Sequence, residues 1–159
     1  MISKPFSILF AHNQYGRKSG EEHAIEEIIR ILKQGGHQVD TFFKSSENIK
    51  GLSGEAKAVF SGIYNPFSKR EMARRLAEKS YDLVQAQNLY PFLSPAVLGE
   101  VKKQNLPLLM RCPNYRLFCP NGLHLCRSQV CEKCLGFGKE LWCLLKNCEE
   151  NLPKSAGYA

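Results

Sequence analysis

Nowhere in the chain does an apolar run reach the roughly 18 to 20 positions that cross a bilayer, because Lys, Glu, Asn or Gln interrupts each one. A membrane-spanning helix is excluded on that ground, and a soluble chain is expected. Nor is the start expected to be a cleavable leader. Met1 to Phe10 holds one Lys and a short apolar run that ends at His12 and Asn13, with no small-residue cleavage site. The stretch reads as a first strand. There are no internal repeats or low-complexity segments, and no GxGxxG follows the first strand, which argues against a nicotinamide dinucleotide. The chain also lacks a zinc-finger helix with paired histidines and aromatic residues interleaved with basic ones, two usual signals of nucleic acid recognition.

What is present suits one packed domain. The 159 residues are 43% hydrophobic and 23% charged, close to globular averages. The net charge is +7, and from Lys102 onward nine Lys or Arg face four Glu, so +5 of it is local to that stretch. Such a surplus can be a solvated surface, or can face phosphates of a polar membrane surface, a sugar phosphate or nucleic acid.

The apolar pattern alternates between strands and helices. Ser7 to Ala11 reads as a buried strand, and His12 to Gly20 as a loop. Ser19 precedes Glu22 at capping-box spacing, and Ile25, Ile28, Ile29 and Leu32 mark one face of a helix ended by Gly35 and Gly36. His37 to Phe43 reads as a second strand. Helices are expected around Gly54 to Tyr64 and Lys69 to Lys79, broken at Asn65 and Pro66. Asp82 to Ala86 is a third strand, Asn88 to Ser94 a loop, Pro95 to Lys103 a helix and Leu106 to Met110 a fourth strand. The expectation is an α/β core over residues 1–110, a parallel sheet with helices on both faces. Residues 111–159 follow as a Cys-rich loop segment, helical from about Lys139, with Pro153 able to open one more helix, within the same domain.

All seven cysteines lie between Cys112 and Cys148, and with no leader the expected compartment is reducing, which points first to metal. Cys131 and Cys134 form a CxxC, the spacing by which one tight turn presents two thiolates to tetrahedral zinc. Buried free thiols and oxidised pairs are the alternatives. Cys112 and Cys143 read as small buried hydrophobes.

Three segments carry a resemblance: ILFAHNQYGRKSGEEHAIEEIIRILKQGGHQVDTF, YDLVQAQNLYPFLSPAVLGEVKKQNLPLLMRCPNYRLFCPNGL and VCEKCLGFGKELWCLLKNCEENLPKSAGYA. Together they resemble the amino-terminal, acceptor-side domain of the family-four (group one) glycosyltransferases, with NYRLFCPNGL followed by CEKCLG the most specific part. The resemblance implies a Rossmann-like half of a GT-B fold and retaining transfer of a sugar from a nucleotide sugar. The acceptor implied is lipid-linked or a polysaccharide, at the cytoplasmic face of the membrane. It implies a second, donor-binding domain that this chain does not reach, so the chain alone is expected to be inactive. It also supplies Cys119 and Cys148 as the second pair of zinc ligands, with Cys126 and His124 as substitutes. Many relatives carry histidines where this chain has Gln85, Gln87 and Pro113, so no histidine-dependent role is carried over to those positions.

Loops at the carboxyl ends of parallel strands are where open α/β sheets hold ligands. Ser19 and Gly20 lead into a helix N-terminus suited to a phosphate or a sugar hydroxyl, unless they are only a solvated turn. Asn88, with Tyr90, follows the third strand. Asn114, Tyr115 and Arg116 follow the fourth and can hydrogen-bond hydroxyls or fork a phosphate, or else Tyr115 packs and Arg116 caps a turn. These residues are expected to converge on one concave surface. Two rival functions are a zinc-stabilised binding module for nucleic acid or protein and a noncatalytic carbohydrate-binding remnant.

Overall fold

The computed structural model describes residues 4–14, 20–45, 61–152 and 155–156. It divides into two compact units, Met1–Arg111 and Cys112–Ala159.

The first unit is built on a four-stranded sheet in the order β2-β1-β3-β4, with every neighbouring pair parallel. Its elements are β1 (Ser7–Gln14), α1 (Gly20–Gln34), β2 (Gln38–Ser45), α2 (Pro66–Glu78), β3 (Leu83–Gln87), α3 (Ala96–Lys103) and β4 (Leu108–Arg111). Period-two alternation sorts the strand side chains between two cores. Ile8, Phe10 and Val39 pack with Ile25 of α1, while Leu9, Ala11, Phe42, Val84 and Ala86 pack with Met72 of α2 and with Val97 and Val101 of α3. Helices therefore cover both faces, and the expected α/β architecture with a parallel sheet is present. The near-continuous apolar character of β1 follows from its central place, buried on both sides.

Several boundaries differ from the sequence reading for local reasons. β1 runs on through His12, Asn13 and Gln14, residues expected in a loop, because their backbone stays in register with Phe43, Lys44 and Ser45 of β2. The break expected at Asn65 and Pro66 is present, since residues 61–63 are helical and Tyr64 and Asn65 are not, but the second helix, α2, starts at Pro66 and so three residues before Lys69. The Asn65 side chain accepts from the N–H groups of Phe67 and Ser68, and Pro66 takes a first-turn position where no N–H is needed. The Asn65 amide also donates to the Phe92 carbonyl at 2.6 Å, tying the helix start to the loop after β3. At the other end, the Asp40 carboxylate accepts from Lys79 at 2.8 Å and from the Tyr81 hydroxyl at 2.9 Å, anchoring the chain leaving α2 to β2. Gly36, at φ +85°, ends α1 as a left-handed residue. The expected helix around Gly54 to Tyr64 falls almost wholly outside the described residues, as do the capping position Ser19 and Pro153.

The second unit has little regular structure. β5 (Leu125–Cys126) and β6 (Gln129–Val130) pair antiparallel, α4 (Leu141–Leu145) is a short helix, and Leu152, Ser155 and Ala156 are also helical. The helix expected from Lys139 is thus confined to five residues, and the backbone reaches positive φ at Asn147 and Glu150 soon after it. No helix among the described residues is long and apolar enough to cross a membrane.

Candidate functional site

The strand order places a switch point between β1 and β3: the chain leaves β1 for β2 on one side and later builds β3 and β4 on the other. Open α/β sheets bind ligands at the carboxyl end of such a point. Register there aligns Phe43, His12, Gln87 and Arg111 in one row across all four strands. Equivalent positions in a parallel ladder share a face, and this row lies on the α1 face together with Phe10.

The row is joined by hydrogen bonds. Gln87 accepts from Arg111 through Oε1 at 2.8 Å and donates through Nε2 to Glu21 at 2.8 Å, so a single amide links the edge strand to the first turn of α1. His12 is fully buried, and its Nδ1 lies 3.2 Å from the Gln87 carbonyl. A carbonyl only accepts, so Nδ1 carries the proton and Nε2 presents a lone pair. That Nε2 has no hydrogen-bond partner and lies 3.9 Å from the buried Glu22 carboxyl.

Burial is the main influence on the His12 ring and pushes its pKa below the ordinary imidazole value. The Gln87 carbonyl and the charges of Glu21 and Glu22 act in the opposite direction and are outweighed. The folded protein therefore resists a proton that the unfolded chain accepts near pH ~6.5. Its contribution to stability is complete above that pH and is lost as pH falls from there toward the depressed folded value. Urea midpoints are expected to fall between about pH 7.5 and about pH 5, with His12→Gln flattening part of that slope. Identical slopes for the two proteins would remove this account of His12.

Beyond β3 the loop is held by the strand beside it. Asn13 donates its backbone N–H to the Asn88 carbonyl at 2.8 Å, Asn88 returns a side-chain bond to the Asn13 carbonyl at 2.7 Å, and the Phe92 N–H donates to the Asn13 side chain at 3.2 Å. Asn88 sits at φ 44°, a conformation that Asn tolerates better than most residues. The structure thus places Asn88 beside the polar row and Gly20 exposed at the start of α1, next to Glu21 and Glu22. Sequence reasoning missed His12, Gln87, Glu21, Glu22 and Arg111. A period-two count continued past Ala11 would have put His12 on the α1 face.

Asn114, Tyr115 and Arg116 belong to the second unit, where they form one turn. The Asn114 side chain accepts from the Arg116 N–H at 3.1 Å, the Tyr115 N–H donates to the Gly122 carbonyl at 3.0 Å, and the Tyr115 ring meets His124 edge-on at 4.9 Å. Gly122 has φ +76°, and a β-carbon there would come within 2.9 Å of the Arg116 side chain, so the turn depends on glycine. A cavity of about 340 Å³ is walled by Arg116, Phe118, Cys119, Cys134, Phe137 and Glu140, among others.

The seven thiols are free. Cys119, Cys134 and Cys143 are buried, Cys126, Cys131 and Cys148 half-buried, and Cys112 exposed, so Cys112 is not the buried hydrophobe expected of it. Burial raises the Cys134 pKa, and the nearby Cys119, Cys143 and Cys131 thiols raise it further, while a backbone bond from Cys143 opposes them. Cys148 hydrogen-bonds with Cys126 and Cys143, and with burial as the largest cause its pKa is pushed up to about 12. Of the four expected ligands, Cys119, Cys131 and Cys134 are thus neighbours, whereas Cys148 is grouped with Cys126 and Cys143. Among the described residues no three Cys, His, Asp or Glu side chains close up tightly enough to hold a metal ion as they stand.

The chain matches no protein-family model, no curated protein and no solved structure.

Proposed function

We propose that this chain forms the amino-terminal, acceptor-side domain of a retaining glycosyltransferase, a Rossmann-like half of a GT-B fold whose partner domain holds the nucleotide sugar. The reaction it serves moves that sugar to a hydroxyl of a lipid-linked or polysaccharide acceptor, at the cytoplasmic face of the membrane. The observation that supports this reading best is the polar row at the switch point, His12, Gln87 and Arg111, bordered by Glu21 and Glu22. An acidic first turn already opposes the positive end of the α1 dipole and repels a phosphate. Carboxylates and amides accept from hydroxyl groups, so the crevice suits a neutral sugar acceptor better than a nucleotide diphosphate.

The test is binding of the purified chain to a glycan array, with Glu21→Ala and Asn88→Ala compared after circular dichroism shows that they are folded. Selective glycan binding weakened roughly tenfold, about 1.4 kcal/mol, in Glu21→Ala is expected. An array without a ligand, or variants that bind like the parent chain, would count against the acceptor role. A second reading, a binding module for nucleic acid or protein, has one observation in its favour: Phe118, Phe137 and Trp142 are exposed in a unit that also carries Arg116, Lys139 and Lys146. Salt-sensitive capture of oligonucleotides, with no glycan bound, would select it.

A further inference from the structure

The first unit carries an apolar tip at the same end of the sheet as the polar row. β2 and β3 both run parallel to β1, so α2, which crosses between them, runs against the strands and begins at their carboxyl end. There the helical residues 61–63, the start of α2 and the loop after β3 are fastened together. The Asn65 N–H donates to the Ser94 hydroxyl at 3.0 Å, and the Ser68 hydroxyl donates to the Phe92 carbonyl at 2.5 Å. A β-carbon at Gly62 would overlap the Tyr90 ring, so glycine lets the two segments meet. From this base Ile63 and Phe67 project, 72% and 77% exposed, with Tyr64 between them at 53%. Monomeric proteins rarely leave large apolar side chains grouped in water, and such patches rimmed by polar residues mark docking surfaces.

The rim here is basic. Tyr64, Pro66, Lys69, Arg70, Ala73 and Glu100 wall a cavity of about 340 Å³. The Lys69 ammonium lies 5.5 Å from the centre of the Tyr64 ring and donates to its hydroxyl at 3.2 Å. Glu100 is shared between Lys69 at 3.7 Å and Lys103 at 3.0 Å, so one carboxylate answers two ammonium groups, and Arg70 adds an exposed guanidinium. Glu71 is turned toward Lys44 and Arg75, at 2.6 and 3.4 Å, and the first turn of α2 holds no acidic residue.

We propose that this tip docks the first unit onto an anionic phospholipid surface. Ile63 and Phe67 enter the acyl boundary, Tyr64 rests at headgroup depth, and Lys69, Arg70 and Lys103 face the lipid phosphates. Aliphatic and aromatic side chains beside cations, with a polar-tipped ring between them, are the composition of an interfacial anchor. Basic side chains lay their methylene stems along apolar surface while their heads reach outward. A narrow tip of this kind offers far less than the roughly 800 Å² per partner of a standard protein interface, whereas a fluid bilayer moulds around it. The surface rests on the acceptor reading in one respect: tip and polar row share one end of the sheet, so docking brings the crevice to a lipid-linked acceptor.

The experiment is co-sedimentation of the whole 159-residue chain with vesicles of phosphatidylglycerol and phosphatidylcholine, against vesicles of phosphatidylcholine alone. Binding to the anionic vesicles that weakens with added salt is expected. Phe67→Ser weakens it roughly tenfold and Arg70→Gln roughly fivefold, while Lys139→Gln, in the second unit, leaves it unchanged. Both tip residues are exposed, so circular dichroism of the two variants matches that of the parent. Phe67→Trp combined with Trp142→Phe is quenched by lipids brominated in the acyl chains. Absence of vesicle binding would overturn the proposal, as would binding indifferent to both tip variants, an equal loss in Lys139→Gln, or an unquenched indole at position 67. A dimer by light scattering that Phe67→Ser dissolves, with vesicles unbound, would give the tip to a second copy of the chain instead. Glycan binding without vesicle binding overturns the docking surface and leaves the acceptor role standing; vesicle binding without any glycan does the reverse.

Discussion

Incubated alone with UDP-, GDP- and ADP-sugars and a panel of acceptors, the 159-residue chain is expected to release nucleotide no faster than buffer. Transfer requires a donor held against the acceptor and groups that stabilise both an oxocarbenium-like carbon and a leaving diphosphate. The crevice at β1 and β3 offers the wrong charges for the second task. Its carboxyl groups are those of Glu21 and Glu22, its imidazole is held neutral by burial, and the guanidinium of Arg111 is engaged by Gln87. A diphosphate leaving group there would gain little and would face two carboxylates. Losing orientation alone forfeits about 7 to 11 kcal/mol of barrier lowering. Removing even one well-placed donor from a site of developing charge commonly costs about 2.7 to 4 kcal/mol more. Nucleotide release followed by coupled assay is the measurement. Turnover by this chain at about 1 per second, an ordinary enzyme rate, would place a complete active site within these residues and end the half-enzyme reading.

Replacing Phe10 by Ala is expected to remove about 3 to 5 kcal/mol of stability. Phe10 is fully buried in the central strand, meets Phe43 edge-on at 6.3 Å, and anchors the cluster formed with Ile8, Ile25 and Val39. The loss combines apolar transfer with the cavity left behind, since strands on both sides and α1 above prevent collapse into the space. Domains are stable by only about 5 to 15 kcal/mol, so the variant is expected near the edge of folding. Its urea midpoint should fall by roughly 1 M or more. Leu109→Ala is the matched comparison. That residue is 54% exposed on the edge strand β4, and its loss should cost less than about 1 kcal/mol. Equal destabilisation by the two substitutions would mean that the α1-side core does not carry the stability assigned to it.

The contrast between Phe10 and Leu109 also separates what is legible in the sequence from what is not. SILFA and LPLLM look alike as apolar runs, and both are strands, because local pattern and flanking loops are enough to announce a strand. Their places in the sheet are set by pairing across long stretches of chain, so one is central and buried and the other an exposed edge. The same limit governs the site. Gly20 and Asn88 can be named as candidates from the sequence because ligands gather at strand ends in any parallel sheet. The row of His12, Gln87 and Arg111 was not, because register joins residues 75 and 24 positions apart and only then does one amide touch both an arginine and α1.

Composition and periodicity by themselves determined an α/β chain with a parallel sheet covered on both faces, and a cysteine-rich stretch after it. Hydrophobic alternation and turn chemistry are local, and such information survives in one dimension. Tertiary structure decided which face each polar side chain joined, that the second helix begins at Pro66 behind an Asn65 cap, and that Cys148 hydrogen-bonds with both Cys126 and Cys143. Those outcomes depend on burial and on distance in space, where desolvation and hydrogen bonding act, and neither is a property of spacing along the chain.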